Sequence, residues 1–124
     1  MSNNNDNNDD DISLDEEHVS REMEYMRRLF PNAMFDIDIP YQDLNDLVTD
    51  EKRIIIEHTY RCRCYSNREL LGKTVHFYIS GEKLTNHNVL DELIKQNLVL
   101  DCDHSFLEGF NKISDGCYEL IVGS

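Results

Sequence analysis

From Arg53 to Tyr65 the side chains alternate with a period of two. Ile54, Ile56, His58, Tyr60, Cys62 and Cys64 fall on one side, and Ile55, Glu57, Thr59, Arg61, Arg63 and Tyr65 on the other. Only an extended strand sends successive residues to opposite faces, so this run demands a β-sheet with its even-numbered face turned inward. Ser66 to Gly72 supplies turn residues. Val75, Phe77 and Ile79 then alternate with His76, Tyr78 and Ser80 up to Gly81, which predicts a second strand paired with the first as an antiparallel hairpin.

The period then changes. Val89, Leu90, Leu93, Ile94 and Leu98 recur at helical spacing after Thr85 and Asn86, both able to cap a helix, so a helix is expected to about Asn97 and to lie across the sheet. Residues 104–110 read as a third strand, with Phe106 and Phe110 on one side and Leu107 on the other. Cys117 to Val122 reads as a fourth, entered through Ser114-Asp115-Gly116. The expected fold is α+β: a two-layer ββ-α-ββ unit with a four-stranded, mostly antiparallel sheet packed by helices, occupying 53–124.

Ahead of that unit, residues 1–12 form an acidic Asn/Asp-rich leader with almost nothing to bury, and disorder is expected there. Ser13 and Glu16 have capping-box spacing, and Val19, Met23, Met26 and Phe30 form an apolar stripe that Pro31 ends, so a helix is expected over 14–29. Two fates compete for its stripe, the face of its own domain or the groove of a partner. The rest of 13–52 is a connector in which Phe35, Ile37 and Ile39 alternate and Pro40 opens a turn or short helix.

The formal net charge of −13 is concentrated at the front. Residues 1–24 hold nine acidic side chains against Arg21 alone, whereas 53–124 hold ten against eight basic ones. Such a balance argues against nucleic acid as a partner of the body, because neutralising phosphates takes a basic surface. No apolar run is long enough to span a membrane, and the polar, anionic start is unlike a secretory leader, so an intracellular setting is expected. In that setting Cys62, Cys64, Cys102 and Cys117 are thiols or metal ligands rather than disulfides.

Cys62-x-Cys64 and Cys102-x-His104 are the one constellation with metal-ligand chemistry. Residues two apart on a strand project side by side, and two such pairs supply the four soft donors of a tetrahedral zinc site. The spacing is shorter than the usual two to four intervening residues. The competing account is that Cys62, Cys64 and Cys117 are small apolar core residues. Asp101, Asp103 and His104, with Glu108 beyond, are carboxylates beside an imidazole, and also what an exposed turn would carry. Gly72-Lys73-Thr74 ends like a phosphate loop, but Asn67 stands where the earlier glycine belongs and a strand follows instead of a helix. His18, His58, His76 and His87 are scattered, and His58 falls on the apolar face. Arg61, Arg63, Tyr65, Tyr78 and His76 make a basic and aromatic patch tempered by Glu57 and Glu69.

The stretch Leu93 to Phe110, with Tyr118-Glu119-Leu120 and the closing Gly123-Ser124, resembles a group of small uncharacterised proteins of mimivirus-type giant viruses, and the Asn/Asp-rich leader is similar to their tails. The resemblance implies expression in an infected host cell, in the cytoplasm or in the particle, and carries no assigned activity. With no catalytic signature present, two functional readings stand. One is a non-enzymatic protein-interaction module of viral origin, and the other a small zinc-stabilised module built on Cys62, Cys64, Cys102 and His104.

Overall fold

Ile54, Ile56 and His58 are buried on one face of strand β3 (Arg53–Thr59), while Arg53 is exposed and Ile55, Glu57 and Thr59 are half-covered on the other. The period-two pattern thus does what strand geometry requires of it. The computed structural model describes residues 21–61, 68–100 and 106–123. β3 pairs with β4 (Thr74–Ser80) in an antiparallel ladder without a register shift, from Arg53 opposite Ser80 to Thr59 opposite Thr74. Cys62 and Cys64, expected to extend this strand, lie outside the described residues.

A second hairpin joins β6 (Phe106–Ser114) to β7 (Cys117–Gly123) through Asp115 and Gly116, where a φ of +72° suits glycine. β7 docks beside β3 in parallel register, Ile55 against Cys117 and Glu57 against Glu119. β1 (Asp36–Ile37) adds to the far side of β6, again parallel. The sheet is therefore five-stranded and mixed, in the order β1-β6-β7-β3-β4, which corrects the expected four-stranded antiparallel sheet. The cause is composition. β3 and β7 each carry an unbroken run of three aliphatic residues, Ile54–Ile56 and Leu120–Val122, which β4 and β6 lack, and such strands suit the inside of a sheet. With a single helix between the hairpins, docking their two apolar strands together makes them run the same way.

That helix, α2 (Asn86–Lys95), starts where Thr85 Oγ1 accepts the Asn88 N–H at 3.1 Å. It ends in a Schellman arrangement: Asn97, at φ +64°, donates to Ile94 O, and the Leu98 N–H reaches Leu93 O. Its Val89, Leu90 and Leu93 are fully buried, in one cluster with Ile54, Ile56, Phe77, Ile79, Leu107, Tyr118 and Leu120 from the sheet. The first helix, α1, is described over 21–29. Met26 on its inner side and Phe30 just beyond it join the same cluster, and Tyr25 meets Tyr41 edge-on at 5.0 Å. Of the two fates open to the apolar stripe, its described part takes the intramolecular one.

Two phase errors have local causes. A register shift between Leu107 and Gly109 puts Leu107 and Phe110 on the same, inner side, opposite Val122 and Leu120, and leaves Phe106 on the other. One extra residue in a strand reverses the side of everything after it, which is why alternation alone misplaced Phe110. Cys117, expected in the core, is half-buried on the outer face. In the connector Phe35, Ile37 and Ile39 are buried and a 3-10 turn over Tyr41–Asp43 follows Pro40, but the helical spacing of Tyr41, Leu44, Leu47 and Val48 does not extend it, because Leu47–Thr49 is a strand. A short ribbon of β2 (Leu47–Thr49) with β5 (Leu84–Thr85) then leads into α2.

Because Leu90 is enclosed by both layers, Leu90→Ala should cost about 2–5 kcal/mol in urea denaturation. Thr85→Ala, which removes only the cap, should cost about 1 kcal/mol.

Candidate functional site

The direction of the backbone groups along β4 follows from its neighbours. Ile55 N–H donates to Gly116 O at 2.8 Å, so Ile55 spends its hydrogen-bonding groups on β7 and faces Tyr78 as a non-hydrogen-bonded pair. Tyr78 N–H and C=O then point away from β3, toward the open side of β4. The Gln96 side chain confirms this by donating to Tyr78 O at 2.9 Å from outside the sheet. By the same alternation Thr74, His76 and Ser80 also point their backbone groups outward, whereas Val75, Phe77 and Ile79 bond to β3. Among the described residues β4 is the terminal strand, with β3 its sole neighbour in the sheet.

Exposed edges of this kind are usually blunted by lysine, proline, a bulge or shortness. β4 has seven residues, an unshifted register, and no charged or proline residue between Thr74 and Ser80. Tyr78, 71% exposed, stands on its solvent face. Beside the C-terminal half of the strand, Arg53, Ile55, Tyr78, Ser80, Asp115 and Gly116 surround an open depression of about 520 Å³. A row of bondable amides, a projecting ring and an adjoining hollow are what receives an extended polypeptide.

Across the same outer face runs a polar row, His76, Glu57, Glu119 and Asn111, in register over four strands. Glu57 lies 3.5 Å from His76 Nε2 and accepts from Cys117 Sγ at 4.0 Å, while Asn111 Nδ2 donates to Glu119 at 3.1 Å. These contacts hold apart two carboxylates that register would set side by side. Among the described residues no three His, Cys, Asp or Glu side chains gather closely enough to hold a metal ion.

Cys62, Cys64, Cys102, His104, Asp101 and Asp103 lie outside the described residues, as does His18. Glu108 is exposed on β6, and Arg61 is exposed beyond β3. His87 pairs with Asp91 at 3.3 Å and leans on Phe30. No known protein family, characterised protein or solved structure matches the chain. The β4 edge and its Gln96 contact escaped sequence reasoning because strand order decides which strand is last. The one local signal was the absence of any acidic residue between Glu69 and Glu82 in so acidic a chain.

His58 sits on the inner face, edge-on to Tyr60 at 4.7 Å, and its buried Nε2 has no hydrogen-bond partner. Burial, helped by the charge of Arg61, pushes its pKa down from 6.5 to about 4. The folded state therefore binds fewer protons than the unfolded chain between these values. The stability contribution is full above pH 6.5 and is lost as pH falls toward 4. The slope should approach ~1.4 kcal/mol per pH unit at most, lessened by solvent near the ring. His58→Phe should remove this share of the pH dependence, seen as a flatter plot of unfolding free energy against pH over that window.

Proposed function

We propose that this chain is a non-enzymatic protein-interaction module that takes up an extended polypeptide segment as a further strand along β4. The observation that carries the reading is the set of outward backbone groups at Thr74, His76, Tyr78 and Ser80 on an uncharged edge. Main-chain bonds supply affinity in such docking, and alternate side chains of the guest supply specificity by lying against Tyr78, His76 and the adjoining hollow. The acidic leader and the overall charge speed encounter with basic proteins. The resemblance of the sequence to small giant-virus proteins implies an infected host cell as the setting of this activity. No described helix is long and apolar enough to cross a membrane.

Tyr78→Pro is the discriminating variant. It deletes an outward N–H while sparing the bonds to β3, and edge positions accept proline. Displayed random dodecapeptides selected on the full-length chain should bind it and lose at least tenfold in affinity for Tyr78→Pro. Equal binding by the variant, with a cooperative melt showing that it folds, sinks the proposal.

A zinc-stabilised module is the second reading, favoured by one contact. Tyr60 OH donates to Val99 O at 3.1 Å, so the runs leading to Cys62-x-Cys64 and to Cys102-x-His104 depart from adjoining points. The tethers are two or three residues, each spanning at most about 3.5 Å. Protein purified without chelator should then hold near-stoichiometric zinc and melt at a lower temperature in EDTA. Metal-free protein with an EDTA-insensitive melt removes this reading and leaves strand addition untouched.

A further inference from the structure

The β4 edge is its own complement. Backbone groups point outward at Thr74, His76, Tyr78 and Ser80, so an antiparallel copy must pair even-numbered residues with even-numbered ones. A two-fold axis through Phe77 does this along the whole strand. It sets Thr74 opposite the second copy's Ser80, and His76 opposite the second copy's Tyr78. Every outward N–H and C=O is then used, and no residue with an outward group faces itself. An axis through His76 or Tyr78 leaves one end of the strand unpaired. The pairs contain no carboxylate, and aromatic His–Tyr contacts flank the axis on the solvent face.

Charge permits contact at the same place. In a chain of net charge −13, two copies repel wherever acidic surfaces meet, and the window from Leu70 to Ser80 holds no acidic residue. We infer that the strand received by β4 is β4 of a second copy, giving a two-fold dimer with a continuous ten-stranded sheet centred on Phe77. This rests on the strand-addition reading above and names its guest. The Gln96 side chain, which occupies Tyr78 O in the single copy, must let go for the pair to form. It acts as a stop on association rather than as part of the interface.

Sedimentation of the full-length chain over a wide concentration range, with amide hydrogen exchange at its two ends, decides the matter. A concentration-dependent dimer is expected, with amides of Thr74, His76, Tyr78 and Ser80 exchanging slowly in the dimer and fast in the monomer. Raising salt should tighten it, since it screens like-charged bodies. Tyr78→Pro should abolish it at the same concentrations. Gln96→Ala should tighten it about three- to tenfold by freeing an acceptor. A monomer throughout, or a dimer whose four amides still exchange fast, overturns the inference. Unchanged or weaker pairing in Gln96→Ala overturns the assignment of Tyr78 O to the interface. If the chain stays monomeric yet binds the displayed peptides through β4, self-pairing falls and strand addition survives. Failure of both assays removes both.

Discussion

Everything distinctive in this molecule follows from the parallel contact between β3 and β7. Ile55 N–H to Gly116 O starts it, and the register carries it through Ile56 against Tyr118 to Glu57 against Glu119. Two hairpins that each bury one face are marginal alone, because a two-stranded ribbon has too little apolar surface to offset the entropy of ordering it. Zipping their most apolar strands together makes one sheet wide enough for α1 and α2 to cover. The contact spans distant parts of the chain, so it carries a loop-closure cost that the burial of α2 on the inner face helps to offset. The helix caps at Thr85 and Asn97 hence serve the sheet as much as the helix.

The same contact decides what is left open. With β7 on one flank of β3 and β4 on the other, β4 is last in the row of described strands, while the opposite end is the two-residue β1. One edge is short and the other long, so the molecule has a polarity in the plane of its sheet. The polar row of Glu57, His76, Glu119 and Asn111 is a consequence too. Parallel register brings the glutamates together, and cross-strand partners on the outer flanks draw them apart.

Most of the elements were legible in the sequence, because each is fixed by a local period or a cap. The buried even face of β3, the buried odd residues of β4, the start of α2 at Thr85 and the turn at Gly116 are of this kind. Sheet order was not legible, since it depends on which pairs of strands share the most apolar surface, a comparison between distant segments. The bulge at Leu107–Gly109 was equally hidden. Gly109 in the strand hinted at irregularity, yet its effect, carrying Phe110 inward, appears only against β7. Cys117 was misread for a related reason: on a strand covered from both sides by neighbours, an outward residue can be half-buried without entering the core. The open edge of β4 was the least legible feature, since it is defined by which of the described strands lie beside it.

Strong negative charge and an uncharged edge belong together because they act at different ranges. At physiological ionic strength, repulsion between exposed charges fades over about 8 Å, whereas neighbouring strands lie about 4.8 Å apart. Charge placed on the leader and loops therefore resists unselective approach, yet costs little once a strand is seated against Thr74–Ser80, where no acidic group lies. Had Glu69 or Glu82 fallen within that strand, like charges would face each other at bonding distance in any self-pairing. The local charge gap, rather than hydrophobicity, is what lets a second strand approach this edge. Gln96 then sets the threshold, since its bond to Tyr78 O must be exchanged for the incoming one. Such an exchange, one hydrogen bond for another, is nearly neutral in free energy, so the balance falls to the remaining outward groups. The length of β4, and with it how many such groups it offers, fixes the strength of what it can hold.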